Sequence, residues 1–347
     1  MPAILITGGC GYIGSHTAIE ILNENRFDVI SIDNLSNSSE DTIDRIEAIT
    51  GQRMLNYAID LRDREAVRHV FEKHPDIVGV IHFAALKSVG ESVEEPLLYY
   101  DNNFGSLISI LQCCEEFEVA NFIFSSSCSI YGNIDELPVT EDTLIWQVES
   151  PYANTKIVGE QILKDLTRAR RDINCISLRY FNPAGAHESG LNGEIPTNRP
   201  NNLVPVITQA AAGLIPQLKV FGGDYDTRDG SCIRDFIHVS DIAIAHIKAL
   251  NYLLEHRNES QYDVFNLGTG QGISILEAIH AFERVTGQSC NYSIVDRREG
   301  DVVAIYSDCS KANEKLGWVA ERSIDEMMAS AWKWQQTLNQ TQLSLKE

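Results

Sequence analysis

Short apolar runs alternate with stretches of helical periodicity through the first half of the chain. Residues 3–7 form one such run; it ends in glycines and predicts a strand buried on both faces. Residues 12–25 follow, with Ile13, Ala18, Ile21 and Leu22 at helical spacing. Further strands are predicted at 28–33, 55–58, 78–83, 121–125 and 175–179, separated by helices that include 64–73, 107–117 and 152–167. Alternation of this kind over about 180 residues predicts an α/β fold built on a doubly wound parallel sheet. The texture changes after Phe181. Residues 182–200, rich in Gly, Pro and Asn, predict a loop region. The mixed pattern beyond them predicts a smaller mixed α/β domain. The expected domains are 1–181, with segments near 233–267 (233–254 and 264–267) returning to the sheet, and 182–347.

The length of 347 residues suits one large or two unequal domains, and 44% hydrophobic with 22% charged residues is an ordinary globular balance. A formal net charge of −21 argues against nucleic acid and anionic membrane as partners. It leaves room for an anionic small molecule, because a local arginine cluster can override the global field. The apolar run at the N-terminus is too short for a signal peptide, and no stretch approaches the roughly 20 apolar residues of a membrane span. The eight cysteines include no C-x-x-C pair and no zinc-spaced histidine, so no metal is expected and reduced thiols in a cytoplasmic protein are.

The candidate chemistry begins at the first turn. Gly8-Gly9-Cys10-Gly11-Tyr12-Ile13-Gly14 follows a strand and opens a helix, the context of a Rossmann-type dinucleotide fingerprint. Glycines let the backbone approach a pyrophosphate, and the helix N-terminus offers N–H groups to it. Asp33, 19 residues past Gly14, stands where a carboxylate accepts from ribose hydroxyls and repels a 2′-phosphate, which favours NAD over NADP. Asn34, Leu35, Ser36, Asn37 and Ser38 continue a polar run around the adenosine. Asp60, beside Leu61, is placed to meet the adenine. Phe83-Ala84-Ala85-Leu86-Lys87 ends another strand; its small residues permit close approach, and Lys87 can reach a phosphate or ribose.

Tyr152 and Lys156 stand four apart and share one helix face. A phenol has a pKa of about 10, and lowering it to about 7 takes ~4 kcal/mol, which a nearby ammonium and a nicotinamide cation can supply. Such a pair is common by chance; it gains weight from the fingerprint and from Ser127, 25 residues before Tyr152 at the end of a predicted strand.

Fingerprint, serine and Tyr/Lys pair occur in the order of extended short-chain dehydrogenase/reductases. The blocks 83–92, 99–103, 179–187 and 297–301 resemble the UDP-glucose 4-epimerase family within them, and the similarity runs from about Ile4 to Trp334. The resemblance implies an NAD-dependent isomerase of UDP-hexoses acting in galactose metabolism, soluble and homodimeric through helices near 95–117 and 152–167. It implies Tyr152 as the base for the sugar 4-hydroxyl, Lys156 as its modulator and ribose ligand, and Ser127 as partner of the reacting oxygen. It adds Tyr12, Ile13, Leu61, Asn102 and Phe181 to the cofactor site. It gives Asn182, Asn202, Leu203, Lys219, Phe221, Arg234, Arg298 and Asp301 to the UDP-sugar. The implied reaction passes the C4 hydride to NAD⁺, turns the 4-keto sugar in the site, and returns the hydride to the other face. Ile305, four residues after Asp301, implies a wall beside the sugar 2-substituent that is narrower than a small residue and wider than tyrosine. Substrates with an N-acetyl group are therefore expected to react in part. The chain is one residue short after Asn102-Asn103, which predicts an altered turn at the start of that helix.

Four other readings compete, and the first, a 3,5-epimerase-reductase of the GDP-sugar type, wants a cysteine two places before Tyr131, where this chain has Ser129 with Cys128 one place off. A 4,6-dehydratase carries Asp-Glu beside the serine, where this chain has Cys128-Ser129. A UDP-N-acetylglucosamine or UDP-glucuronate epimerase would differ only in the hexose pocket. A non-catalytic NAD-binding regulator commonly loses the tyrosine or lysine, and this chain keeps both.

Overall fold

The apolar runs form strands β1 (Ala3–Thr7), β2 (Asp28–Ile32), β3 (Leu55–Tyr57), β4 (Ile77–His82), β5 (Asn121–Ser127) and β6 (Asn174–Tyr180). Between them lie helices α1 (Tyr12–Asn23), α2 (Asp41–Thr50), α3 (Arg64–Lys73), α4 (Val89–Glu94), α5 (Pro96–Glu116) and α6 (Pro151–Ala169). The chain continues through β7 (Asn182–Ala184), α7 (Leu203–Ala211), β8 (Leu218–Phe221), β9 (Ile233–His238), α8 (Val239–Leu254), β10 (Tyr262–Leu267) and β11 (Gly272–Ser274). It closes with α9 (Ile275–Thr286), β12 (Tyr292–Val295), β13 (Ala304–Ile305), α10 (Ser310–Leu316) and α11 (Ile324–Ser344). This computed structural model describes residues 1–344 apart from 146, 147, 149, 196–201 and 299.

Among the described residues the main sheet has seven strands in the order β10-β6-β5-β4-β1-β2-β3, every neighbouring pair parallel. Both faces are covered. On one, α1 and α8 bury Ile19, Leu22, Ile242, Ala245 and Leu250 against Ile4, Ile6, Ile123 and Ile176. On the other, α3, α5 and α6 bury Val67, Phe71, Leu107, Ile110 and Leu163 against Leu5, Val80, Phe122 and Phe124. This two-sided burial is why the strands read as continuous apolar runs. Strand order reverses between β1 and β4, so a crevice opens outside their carboxyl ends, where such sheets bind ligands.

The returning segments divide. Residues 264–267 do rejoin the sheet, within β10, which pairs with β6. Of 233–254 only α8 returns. β9 instead joins a separate sheet with β7, β11 and β13. Its polar groups are used there: Asp235 accepts from the Thr269, Gly270 and Ser307 N–H groups, and Arg234 donates to the Val302 carbonyl, which ties β9 to the segments around β11 and β13. The predicted loop 182–200 begins with the edge strand β7, where Pro183 sits without needing to donate; 196–200 lie outside the described residues. The expected altered turn after Asn103 is absent. Residues Asn102 to Ser106 lie within the unbroken helix α5, which starts at Pro96 in the first helical turn, close to the bounds 95–117 that the resemblance implies and well before the 107 that periodicity predicts. Exposed Leu97 and Leu98 had obscured its period. Helices α2 and α4 were not predicted.

Candidate active site

The glycine loop is shaped by contacts that admit no side chain. Gly8 has a φ of +74°, and a Cβ there would lie 3.0 Å from the Ala84 nitrogen; a Cβ on Gly14 would lie 2.2 Å from the Gly8 carbonyl. Gly11 is the N-cap of α1, and no side chain caps it. The twelve-residue helix thus presents its N-terminus to the crevice with its capping position left to a ligand, the cradle a pyrophosphate requires. Tyr12 turns its hydroxyl away, donating to the Gly185 carbonyl at 2.6 Å, and Ile13 packs against the core.

At the end of β2, Asp33 is held by three donors: the Cys10 N–H at 3.0 Å, the Leu35 N–H at 2.9 Å and the Ser38 hydroxyl at 2.8 Å. This fixes a buried negative charge beside the loop, a poor neighbour for a 2′-phosphate. Asn34 accepts from the Ser36 N–H at 3.1 Å, and Ser36 and Asn37 are exposed on the same turn. Asp60 is gripped by Arg62 through Nη2 at 2.7 Å and Nε at 3.1 Å, a pairing that depresses its pKa, while Leu61 is core.

After β4 the Ala84 N–H donates to the Thr7 carbonyl at 3.2 Å, and the Phe83 ring meets His246. Asn103, which sequence reasoning passed over for Asn102, fixes the next turn. It accepts from the Leu86 N–H at 2.8 Å and donates to the Leu86 carbonyl at 3.0 Å and the Thr155 hydroxyl at 3.1 Å. Asn102 donates to Asn103 at 3.0 Å. The second asparagine of that pair was the signal. Ala85 lies half-buried beside this turn. Lys87 reaches Glu194 at 3.4 Å, and Glu194 also accepts from Asn202 at 2.8 Å. Glu194 thus links a residue expected at the cofactor to one expected at the substrate; it lies in the Gly/Pro/Asn-rich stretch and gave no signal in the sequence.

The three candidate catalytic residues converge. α6 starts at Pro151 behind the Ser150 cap, whose hydroxyl accepts from the Ala153 N–H at 3.2 Å, so Tyr152 lies in its first turn. Lys156, buried, donates to the Ser125 carbonyl at 2.7 Å, and its ammonium lies 4.9 Å from the centre of the Phe124 ring and 5.8 Å from that of Tyr152. Burial lowers the Lys156 pKa to about 8, against the Glu160 carboxylate that raises it. Ser127 faces the Tyr152 phenol and accepts from the Ser129 N–H at 3.2 Å, opening a one-turn 3-10 helix (Cys128–Tyr131). Burial pushes the Tyr152 phenol up to about 12, with Ser127 opposing. The expected lowering by Lys156 does not show in the protein by itself, where burial sets the direction at Tyr152.

The residues expected on the substrate side stand in several places. Asp301 accepts from Arg298 at 2.7 Å and lies 3.7 Å from Arg234, which also donates to the carbonyls of Ile233 and Val302. Arg298 stacks over Phe221 at 5.3 Å, and Lys219 lies exposed two residues earlier on β8. Asn202 caps α7 by position, and Leu203 opens it. Asn182 carries a buried carbonyl oxygen with no partner among the described residues, an acceptor awaiting a donor. Ile305 pairs in register with Arg234 and packs among Ile130, Tyr131, Val139 and Phe181 at only 6% exposure. It backs the catalytic segment more than it opens onto free space.

The chain matches the family model for GDP-mannose 4,6 dehydratase over residues 5–331. It is 47% identical to a UDP-glucose 4-epimerase of Haemophilus influenzae over 96% of this chain and 97% of that one. It is 48% identical to one of Bacillus subtilis, over 96% of each. The chain belongs to the UDP-glucose 4-epimerase family. Solved structures of epimerases agree. That of Stenotrophomonas maltophila, with bound NAD and formylated UDP-arabinopyranose, has a TM-score of 0.94 at 44% identity, covering 98% of this chain and 100% of that one. That of Bifidobacterium longum, in complex with NAD⁺ and UDP, has a TM-score of 0.91 at 46% identity, covering 96% and 98%. Within the epimerase fold, the glycine cradle, Asp33 and the Ser127–Tyr152–Lys156 group fit a dinucleotide by their own geometry.

Proposed function

We propose that this protein interconverts UDP-galactose and UDP-glucose using bound NAD. The observation that carries the reading is the convergence of Ser127, Tyr152 and Lys156 at the carboxyl end of β5, beside the glycine cradle. Gly8, Gly11 and Gly14 would receive the pyrophosphate, Asp33 the adenosine ribose, and Lys156 the nicotinamide ribose. NAD, when bound, supplies a reversible hydride acceptor at the sugar C4. Tyr152 takes the 4-hydroxyl proton as its phenolate and later returns it; Ser127 holds the oxygen that gains or loses it. Phe221, Arg234 and Arg298 grip the uridine diphosphate, so that the hexose can turn while the nucleotide stays. Guanidinium groups suit a diphosphate because their forked donors match its oxygens. Cys128 and Ser129 supply no acid–base pair for loss of water, which opposes the dehydratase reaction of the matched family model.

The same reading assigns 1–181, with α8 and β10, to NAD and the remainder to the UDP-sugar. It includes a cytoplasmic location, supported by eight unpaired cysteines, and a homodimer, supported by the exposed Leu97, Leu98 and Ile108 of α5. It also includes partial activity on the N-acetylated UDP-hexosamines, with Ile305 behind the pocket wall. A coupled assay of UDP-galactose against UDP-N-acetylgalactosamine tests it. Turnover of the first, with the second slower by about 10- to 200-fold, is expected for a contact worth ~1–3 kcal/mol. Ile305→Tyr should depress the N-acetyl reaction selectively; equal loss of both would remove Ile305 from the pocket wall. No turnover of either, with NAD bound, would overturn the function.

A further inference from the structure

A buried ion pair lies directly beneath the catalytic group and takes no part in the chemistry above. Glu160 follows Lys156 by one helical turn, as Lys156 follows Tyr152, so all three face the sheet from α6. Glu160 and Arg179 are each 3% exposed. Arg179 meets the carboxylate with both prongs, Nε at 2.9 Å and Nη2 at 2.7 Å. Each partner then holds one end of the segment that carries Ser127. Ser126, the residue before it, donates its hydroxyl to Glu160 at 2.7 Å. Tyr131, which closes the 3-10 turn, accepts from Arg179 at 3.0 Å and donates to the Asn266 side chain at 2.6 Å. Asn266 is tied in turn to the Val139 carbonyl at 3.1 Å and to Glu141 at 2.7 Å. Four consecutive residues, Ser127 to Ile130, are thus suspended between two anchors on one ion pair.

We propose that Glu160 and Arg179 are positioning residues for the epimerisation, fixing Ser127 against Tyr152 from both ends and placing a carboxylate behind Lys156. The proposal rests on the function argued above. A buried ion pair is an uneconomical way to gain stability, since apolar replacements often do as well. What an apolar pair cannot do is bond Ser126 and Tyr131 while facing a lysine. The groups around the Lys156 ammonium are few: Tyr152 and Glu160 on α6, the Ser125 carbonyl and Phe124 ring on β5, and His82 on β4. His82 is neutral above about pH 3, held there by burial and by Lys156 itself. Arg179 and Tyr180 on β6 complete the surroundings, Tyr180 bonded to Ser125. Glu160 is the anion in this set.

The test uses the holoenzyme. Glu160→Gln/Arg179→Met removes both charges together, keeps an acceptor for Ser126 and leaves no orphaned ion. We expect bound NAD and the KM for UDP-galactose to stay within about twofold, and kcat to fall about 10- to 100-fold, the scale of a displaced reacting group. The alkaline limb of the pH–rate profile should move to lower pH, because Lys156 loses the anion that keeps it protonated. Ser126→Ala and Tyr131→Phe each cut one anchor and leave the charges. They should lower kcat with the alkaline limb unmoved. A folded double variant with unchanged kcat and unchanged profile overturns the proposal. If the double variant fails to fold, unchanged kcat in both single variants overturns it. Wild-type protein without turnover would mark failure of the function itself; active wild type with indifferent variants marks failure of this inference alone.

Discussion

Tyr152 poses the sharpest question at the residue scale. Its phenol sits at about 12 before any cofactor arrives. Reaching about 7 requires some 5 units, or ~7 kcal/mol. An ammonium about 6 Å away at an effective dielectric of about 20 supplies ~3 kcal/mol. On the proposed function the lysine supplies part of this and a bound nicotinamide cation the rest. Two outcomes follow. Tyr152→Phe should lower turnover at least 10²-fold, the lower bound for a lost general base, while retaining NAD. Lys156→Met should move the acid limb of the pH–rate profile upward, since the phenolate loses a cation. Steady-state profiles of both variants check this, and an unmoved limb in the lysine variant would separate Lys156 from Tyr152.

Each element places its residue through an end rather than a middle. α1 leaves Gly11 uncapped for a ligand, whereas α6 is capped by Ser150 so that Tyr152 is rigid. On the proposed function the contrast has a purpose: the open helix end would bind an anion, and the closed one would fix a base. The glycine loop tolerates no insertion of mass, because β1, the loop and α1 meet within van der Waals contact. Gly14→Ala puts a methyl where the Gly8 carbonyl stands, 2.2 Å away, so the turn must open. NAD affinity should fall at least about tenfold, equal to ~1.4 kcal/mol, with the far-ultraviolet circular dichroism unchanged. Fluorescence titration with NADH measures it; wild-type affinity would show that the loop yields freely.

For the whole molecule, acid is the informative perturbation. Burial holds His16 and His246 at about 4 and His82 and His238 at about 3. Unfolded histidines titrate at about 6.5, so between there and about 4 the unfolded chain binds protons that the folded one refuses. Unfolding therefore becomes easier as pH falls, by ~1.4 kcal/mol per pH unit for each histidine. Raised carboxyl pKa values at Glu20 and Glu141, both due to burial, act in the opposite sense and offset part of this. The melting temperature should drop steadily from pH 7 to pH 4.5, and a flat profile would contradict the buried neutral assignments. At neutral pH, sedimentation should give twice the chain mass of 38.7 kDa if α5 buries its exposed leucines against a second copy.

The sequence by itself determined what depends on neighbours along the chain. Strands buried on both faces had to be continuous apolar runs, the phosphate turn had to be glycine, and a tyrosine and lysine four apart had to share a helix face. Those rules act over a few residues, and they placed β1 to β6, the cradle and the Tyr152–Lys156 pair. The tertiary structure decided what depends on residues far apart. It put β9 in a second sheet while α8 returned to the first. It brought Glu194 between Lys87 and Asn202, and joined Arg179 to Glu160 across 19 positions and Tyr131 to Asn266 across 135. It also pushed the Tyr152 phenol up, because the cost of burying a phenolate is set by everything packed around it, and no local spacing encodes that.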